Sequence, residues 1–383
     1  MIFKKISGKL HLWLGLASGV IVCFLGITGC LLVFEKEIER ITIPEQFVQV
    51  ESKPYIAPSQ LKENAEKSIG NNRKIISVEY EGRDKAAVAY YYNADEYFLV
   101  LLNPYNGKVL RVKNMNHDFF RVVINGHFYL WLPPTIGQPI VATSTLIFVV
   151  MLITGIVLWW PRNKAALKQR FSIKWKASFK RKNYDLHNVP GFYVTLIALF
   201  ISLSGLVMGF QWFARSVYFV SSGGKSMPAY PQVSSDTLRA KSASPLASTD
   251  FILQQMAASI QPDEAVGVEF PTSKEAAIEV NVNHKVGTYY KSDYYYFDQH
   301  SGKQIPAKGV YAGSYKGASA ADKIQRMNYD IHVGAIGGLP TKILAFCGSF
   351  VAASLPVTGF LIWLGRKKKK KPESKKIKTV AVV

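Results

Sequence analysis

Four of the seven histidines in this 383-residue chain fall into two matched pairs. His11 lies in Leu10-His11-Leu12-Trp13-Leu14-Gly15, and His187 in Leu186-His187-Asn188-Val189-Pro190-Gly191. In each tract a glycine follows the histidine by four positions. A hydroxyl residue and a second glycine follow at seventeen and eighteen, as Thr28-Gly29 and Ser204-Gly205. His127 and His332 form the other pair, offset by 205 together with Arg121 and Arg326. Thr154-Gly155-Ile156-Val157-Leu158-Trp159 likewise matches Thr358-Gly359-Phe360-Leu361-Ile362-Trp363 at an offset of 204. A repeat of this size implies one plan used twice.

Two imidazoles set face to face by such a repeat, with apolar walls between them, suit the iron of a haem b, because neutral imidazole is a good iron ligand. The residues therefore point to His11 with His187 and His127 with His332 as axial ligands of two bis-histidine haem b groups. The rival reading is that interfacial histidines are merely polar groups reaching for the membrane surface. Gly15, Gly191, Gly29, Gly205, Gly155 and Gly359 favour the ligand reading, since they make room where helices approach each other or a flat macrocycle. Arg121, Arg326 and Lys9 could pair with haem propionates or be plain surface charges. His117, His284 and His300 have no repeat mate and read as solvated. A catalytic residue is not identifiable. The chain has no Cys-x-x-Cys-His for covalent haem, no P-loop, no G-x-S-x-G and no H-E-x-x-H. A flavin or nicotinamide fingerprint is likewise not visible.

The elements that must hold these histidines are four apolar runs near 11–34, 139–160, 188–212 and 341–364. Each is long enough for a bilayer, which takes about 20 residues. The first exceeds a signal-peptide core and lacks a small-residue cleavage site. Nearly half of the 47 lysines and arginines lie in three segments. These are Lys4, Lys5 and Lys9; the stretch from Arg162 to Lys182; and the tail from Arg366. The positive-inside rule puts those segments, and with them both termini, in the cytoplasm. The net charge of +21 is then a topology signal rather than a nucleic-acid footprint. Cys23, Cys30 and Cys347 lie in apolar runs and read as buried small hydrophobes.

Between the spans the pattern predicts two similar outer units. The first has a helix from Ser59 as N-cap, with Leu61, Ala65 and Ile69 on one face, then strands near Lys74–Tyr80, Ala86–Tyr92, Tyr97–Leu102 and Lys108–Val112. The second has a helix from Ser248 to about Ile260, then strands near Val266–Phe270, Ala276–Val282 and Tyr289–Phe297. Gly107 and Gly302 suit positive-φ turn positions. The Tyr90–Tyr92 and Tyr294–Tyr296 runs fall on strands and read as sheet residues, with a large ligand as the alternative.

With these motifs in hand, the chain resembles the PepSY-associated transmembrane family over nearly its whole length. The resemblance rests on Leu10-His11, Leu186-His187, the outer turns, His127, His332 and the Thr-Gly…Trp span ends. It implies an α-helical membrane protein, a four-helix transmembrane bundle of two parallel pseudo-symmetric repeats with two small α+β PepSY-like domains outside. The chain then divides into the N-terminus with the first span (1–34), a periplasmic PepSY-like domain with a pre-span helix (35–138) and the second span (139–160). A basic cytoplasmic loop (161–187) and the third span (188–212) follow. A second periplasmic domain with its helix (213–340), the fourth span (341–364) and a basic tail (365–383) complete the chain. Some members of the family are di-haem ferric-siderophore reductases of the bacterial inner membrane. The implied activity is iron-uptake electron transfer from a quinol or a cytoplasmic reductase, through two haem b groups, to a ferric siderophore or other ferric chelate. Haems at the two ends of a 24-residue span would stand about 36 Å apart, too far for fast direct transfer unless they sit deeper. Two other functions are open: a PepSY peptide-binding or protease-regulating membrane protein, and a siderophore or iron transporter component. The spans lack the interior charges expected of an ion route.

Overall fold

A computed structural model describes residues 2–367 apart from 162, 164–166, 168–169, 238–243, 258–260 and 262. Arg162, Lys164, Lys168, Ile260 and the basic tail beyond 367 lie outside the described residues. The helices, in chain order, are α1 (Ile2–Val33), α2 (Glu35–Thr42), α3 (Pro58–Ile69), α4 (Phe119–Tyr129) and α5 (Pro134–Trp159), then α6 (Phe179–Gly209), α7 (Gln211–Ser221), α8 (Pro245–Ala257), α9 (Ala320–His332) and α10 (Leu339–Lys367). The strands are β1 (Ser77–Tyr80), β2 (Ala87–Tyr92), β3 (Tyr97–Leu102) and β4 (Val109–Asn114), followed by β5 (Ala265–Glu269), β6 (Ile278–Asn283), β7 (Ser292–Phe297) and β8 (Gln304–Ile305).

α1, α5, α6 and α10 are long and apolar enough to cross a membrane. α1 packs against α5 and α10, and α6 packs against the same two, so α1 and α6 stand diagonally across a four-helix bundle. Small residues let the helices close up. A Cβ on Gly26 would come 2.8 Å from the Ala353 Cβ, and one on Gly348 would come 2.9 Å from the Ile197 side chain. At mid-bundle Val22, Phe148, Leu152, Ala198 and Ala352 form one apolar cluster. α6 begins at Phe179, earlier than the apolar run suggests, because a helix continues into polar sequence until something breaks it. His187 therefore lies two turns inside α6, and Pro190 lies in the helix interior. Cys347, expected to be buried, is exposed on α10. In a membrane protein the surroundings of the bundle are themselves apolar, so a thiol can face outward.

The two outer units are not separate domains. Their strands make one eight-stranded sheet in the order β4-β3-β2-β1-β5-β6-β7-β8. The seam is the antiparallel pairing of β1 with β5, from Ser77 opposite Glu269 to Tyr80 opposite Val266. The physical reason is edge satisfaction: a four-stranded unit ending at β1 would leave a row of unpaired backbone groups. One core serves the whole sheet. Leu61, Ala65 and Ile69 of α3 and Ile252 and Leu253 of α8 cover Val78, Val100, Val268 and Val280. α3 starts at Pro58 with Ala57 as its cap, while Ser59 instead bonds through its backbone N–H and hydroxyl to Asp250 of α8. α8 starts at Pro245, which leaves Ser248 inside its first turn. Gly107 and Gly302 take φ of 72° and 67°, as the turn chemistry requires. Tyr91 and Tyr295 turn to the core; Tyr90, Tyr294 and Tyr296, on the alternate positions, carry the other face.

Candidate functional site

The structure brings His11 to His187 and His127 to His332. His11 of α1 and His187 of α6 meet across the bundle diagonal, away from the sheet, with ring centroids 6.3 Å apart and planes at 90°. His127 of α4 and His332 of α9 meet at the sheet end, with centroids 6.2 Å apart and planes at 66°. The first is called the distal pair below and the second the sheet-side pair. A metal–imidazole bond of about 2 Å on each side, plus about 1 Å from each nitrogen to its ring centre, would put two ligating rings about 6 Å apart. Both gaps therefore have the width that one metal ion between two imidazoles needs.

Every one of the four rings is held in the same way. The Nδ1 atoms of His11 and His187 lie 3.0 and 2.9 Å from the Thr154 and Thr358 hydroxyls. Those of His127 and His332 lie 2.7 and 3.1 Å from the Thr28 and Ser204 hydroxyls. His332 Nδ1 also lies 3.0 Å from the Ile201 carbonyl. The glycine after each hydroxyl residue faces the same ring. A Cβ there would come 3.5 Å from His11 Cε1 at Gly155, 3.2 Å from His187 at Gly359, 3.7 Å from His127 at Gly29 and 3.2 Å from His332 at Gly205. At Gly155, Gly205 and Gly359 the imidazole is the nearest atom to such a Cβ, while at Gly29 the Ser349 hydroxyl of α10 is nearer still, at 3.5 Å. Gly15 and Gly191 differ, facing Met151 and Leu355 in the distal cavity.

The surroundings fit a planar apolar group. The distal cavity, about 910 Å³, is lined by both its histidines with Leu16, Met151, Ile156, Phe192 and Trp363 and, among the described residues, by no lysine, arginine or carboxylate. The sheet-side cavity is narrower, about 160 Å³, and includes Val141, Phe148, Met208 and the carboxylate of Glu35. Phe148 and Val22 line both. Among the described residues, three or more His, Cys, Asp or Glu never gather into a cluster able to hold an ion by themselves. Two imidazoles alone leave most of a metal's coordination unfilled, and a porphyrin supplies the four equatorial nitrogens that would complete it. The distal cavity lies in the range of ordinary ligand pockets, roughly 300–1,000 Å³, whereas the sheet-side walls must part to admit a macrocycle.

His127 and His332 were expected just outside the second and fourth spans. They lie there, on the pre-span helices α4 and α9, which fold back so that the rings reach Thr28 and Ser204 inside α1 and α6. His11 and Thr28 are seventeen positions apart on one helix, or about 25 Å. The two pairs are therefore nearer to each other than a full span.

Arg326 does not offer a charge to a propionate. It is buried and donates to the carbonyls of Val310, Ser292 and Ala312. Arg121 lies over the Tyr97 ring at 5.3 Å, and Lys9 is exposed. His117 is exposed as expected. Of the other two histidines without a repeat mate, His284 is exposed as expected, but His300 is not. His300 is buried, with Nε2 3.2 Å from the Lys274 carbonyl. His284 lies between Glu264 at 2.5 Å and Asp293 at 3.0 Å. Burial lowers its pKa, but these two carboxylates outweigh it and hold the pKa above the usual histidine value. The sequence also gave no reason to single out Glu35. Burial first, then the Glu39 and Asp118 carboxylates, push its pKa up to about 7 against the pull of Lys113 and Lys36.

The family model of the PepSY-associated TM region matches residues 9–366. The chain belongs to this family. The match takes in all four histidines and the whole sheet. None of the curated proteins matches the chain.

Proposed function

We propose that this member of the family is a di-haem b oxidoreductase that carries electrons across the bacterial inner membrane and reduces a ferric siderophore on the periplasmic side. The observation that carries the reading is the pair of 6.2–6.3 Å imidazole gaps, each walled by apolar side chains. His11 and His187 would hold the distal haem, and His127 and His332 the sheet-side one. Haem iron supplies one-electron chemistry, its potential set by axial ligands and burial.

The chain's own residues do the rest. The four histidines fix the separation of the two centres at about 25 Å along the helices, and the macrocycles' own width shortens the remaining gap. Phe148 and its apolar neighbours keep water and protons out of the region between them. The distal pair lies at the end flanked by Lys4, Lys9, Lys180 and Arg181, which the positive-inside rule assigns to the cytoplasm. Electrons would enter there from a quinol or a cytoplasmic reductase. The sheet and the His127–His332 pair then face the periplasm, where the acceptor is a ferric siderophore or related chelate. One electron converts its iron(III) to the more weakly held iron(II), and the metal is released.

The test begins with protein purified in detergent from haem-replete cells. It should show the Soret and reduced α bands of bis-histidine haem b, at two haems per chain. After reduction by dithionite and removal of the excess, a ferric siderophore should reoxidise both haems and yield iron(II). A colourless protein would end the haem reading. A coloured protein that ferric chelates cannot reoxidise would end the substrate assignment alone.

A further inference from the structure

The four hydroxyl contacts decide which nitrogen of each histidine is free. A hydroxyl has one proton to give, and in all four cases a helix carbonyl already takes it. Thr28 Oγ1 donates to the Phe24 carbonyl at 2.9 Å, Thr154 to Val150 at 2.9 Å, Thr358 to Ser354 at 3.0 Å and Ser204 to Ile201 at 2.8 Å. What remains on each oxygen is a lone pair, which can only accept. The imidazole Nδ1 beside it must then be the N–H donor. At His332 the second partner of Nδ1 is the Ile201 carbonyl, which has no proton to offer, and this requires the same assignment independently.

We propose that Thr28, Thr154, Ser204 and Thr358 are positioning residues that lock all four imidazoles in the Nδ1–H tautomer, so that each Nε2 lone pair is free for a metal. This deepens the haem reading and rests on it for the metal, but the tautomers follow from the protein alone. The hydroxyls sit on α1, α5, α6 and α10, while each histidine they hold comes from a different helix. The rings are thereby oriented across helix interfaces before any cofactor arrives. A histidine whose Nδ1–H is engaged is a more basic ligand at Nε2, and such outer partners are worth roughly 10–100-fold in metal affinity. The four contacts are not equal. His332 keeps the Ile201 carbonyl if the Ser204 hydroxyl is lost, and His11 and His187 likewise have the Met151 and Leu355 backbone as a second partner, so His127 depends most on its hydroxyl.

The experiment uses the full chain with Thr154→Val and Thr358→Val, which keep shape and lose the acceptor, and with Thr154→Ser and Thr358→Ser, which restore it. Haem retention is followed by transfer to apomyoglobin, and midpoint potentials by spectroelectrochemistry. The valine variants should release the distal haem about 10–100-fold more readily and shift its potential upward, with the sheet-side haem unchanged. The serine variants should behave as the parent, and Thr28→Val, whose ring shows no second partner, should show the largest change of the set, at the sheet-side haem. Valine variants with parental retention and potential would overturn the proposal. A second measurement does not need the cofactor. In haem-free protein labelled with ¹⁵N-histidine, the four rings should carry their proton on Nδ1 at neutral pH, and in Thr28→Val the His127 signal should become a tautomer mixture. Protons on Nε2 would overturn the proposal even if the variants failed to fold. A parent that takes up no haem would defeat the proposed function while leaving this tautomer measurement decisive.

Discussion

The distal and sheet-side pairs share a ligand set and a ring spacing, yet they are built by different means. The distal histidines belong to spanning helices, α1 and α6, so helix packing alone sets their gap. The sheet-side histidines ride on short helices tied to the sheet. Arg326 and Asp330 anchor α9 there through backbone carbonyls and through the Tyr289 and Tyr290 N–H groups. The distal cavity is wide, with no lysine, arginine or carboxylate among its described lining residues, and the sheet-side cavity is narrow with Glu35 in its wall. Identical imidazole pairs can thus be given different accessibility and different polar surroundings without a change in the rings themselves.

The largest effect that separates the two sites is loss of a ligand. His187→Ala should halve the haem content and leave the sheet-side centre intact, while His332→Ala should remove the other one. Haem counting by pyridine haemochrome distinguishes these results from a single shared site, which would lose everything at once.

Next in size is the anchoring of α9. Arg326→Ala removes the donor from the buried carbonyls of Val310 and Ser292, at about 1–3 kcal/mol each, and from the half-buried one of Ala312, and should lower thermal stability and the sheet-side haem content together. Arg121→Ala, at the corresponding place on exposed α4, removes only a stacking contact of about 0.5–1 kcal/mol. Equal losses of stability for the two would abolish this distinction.

A smaller change should come from the glycines that face the rings. Gly205→Ala and Gly359→Ala put a Cβ 3.2 Å from an imidazole carbon and should perturb the low-spin spectrum of their own site. Gly29→Ala, at 3.7 Å, should be silent. The reverse ranking in electron paramagnetic resonance would mean that the rings do not sit against these glycines.

The finest distinction concerns pH. Burial and the neighbouring carboxylates push the Glu35 pKa up to about 7, and its ionised form would favour a ferric haem beside it. The sheet-side potential should therefore fall as pH rises from 6 to 8, by at most about 59 mV per unit. The distal potential should stay level, and Glu35→Gln should flatten the sheet-side response. A slope retained in that variant would assign the proton elsewhere.

The sequence made the bundle and the histidine pairs legible because apolar length and a long repeat are one-dimensional signals. Thr28-Gly29, Ser204-Gly205, Thr154-Gly155 and Thr358-Gly359 were visible too, but only as repeated pairs. That the hydroxyl meets Nδ1 and the glycine meets Cε1 depends on how the spanning helices pack and, for Thr28-Gly29 and Ser204-Gly205, on α4 and α9 folding back, which no periodicity encodes. The β1–β5 seam was hidden for a related reason, since strand pairing between halves is a long-range choice. Arg326 and Arg121 read alike in the chain, and only burial separated a structural cation from an exposed one.

That seam has a consequence for how the molecule can be taken apart. Neither half can complete its own sheet, for each ends in a strand whose next neighbour is supplied by the other. Two polypeptides cut in the loop between α5 and α6 should therefore find one another by strand complementation, and a lone half should be an open template, prone to capture whatever extended chain it meets.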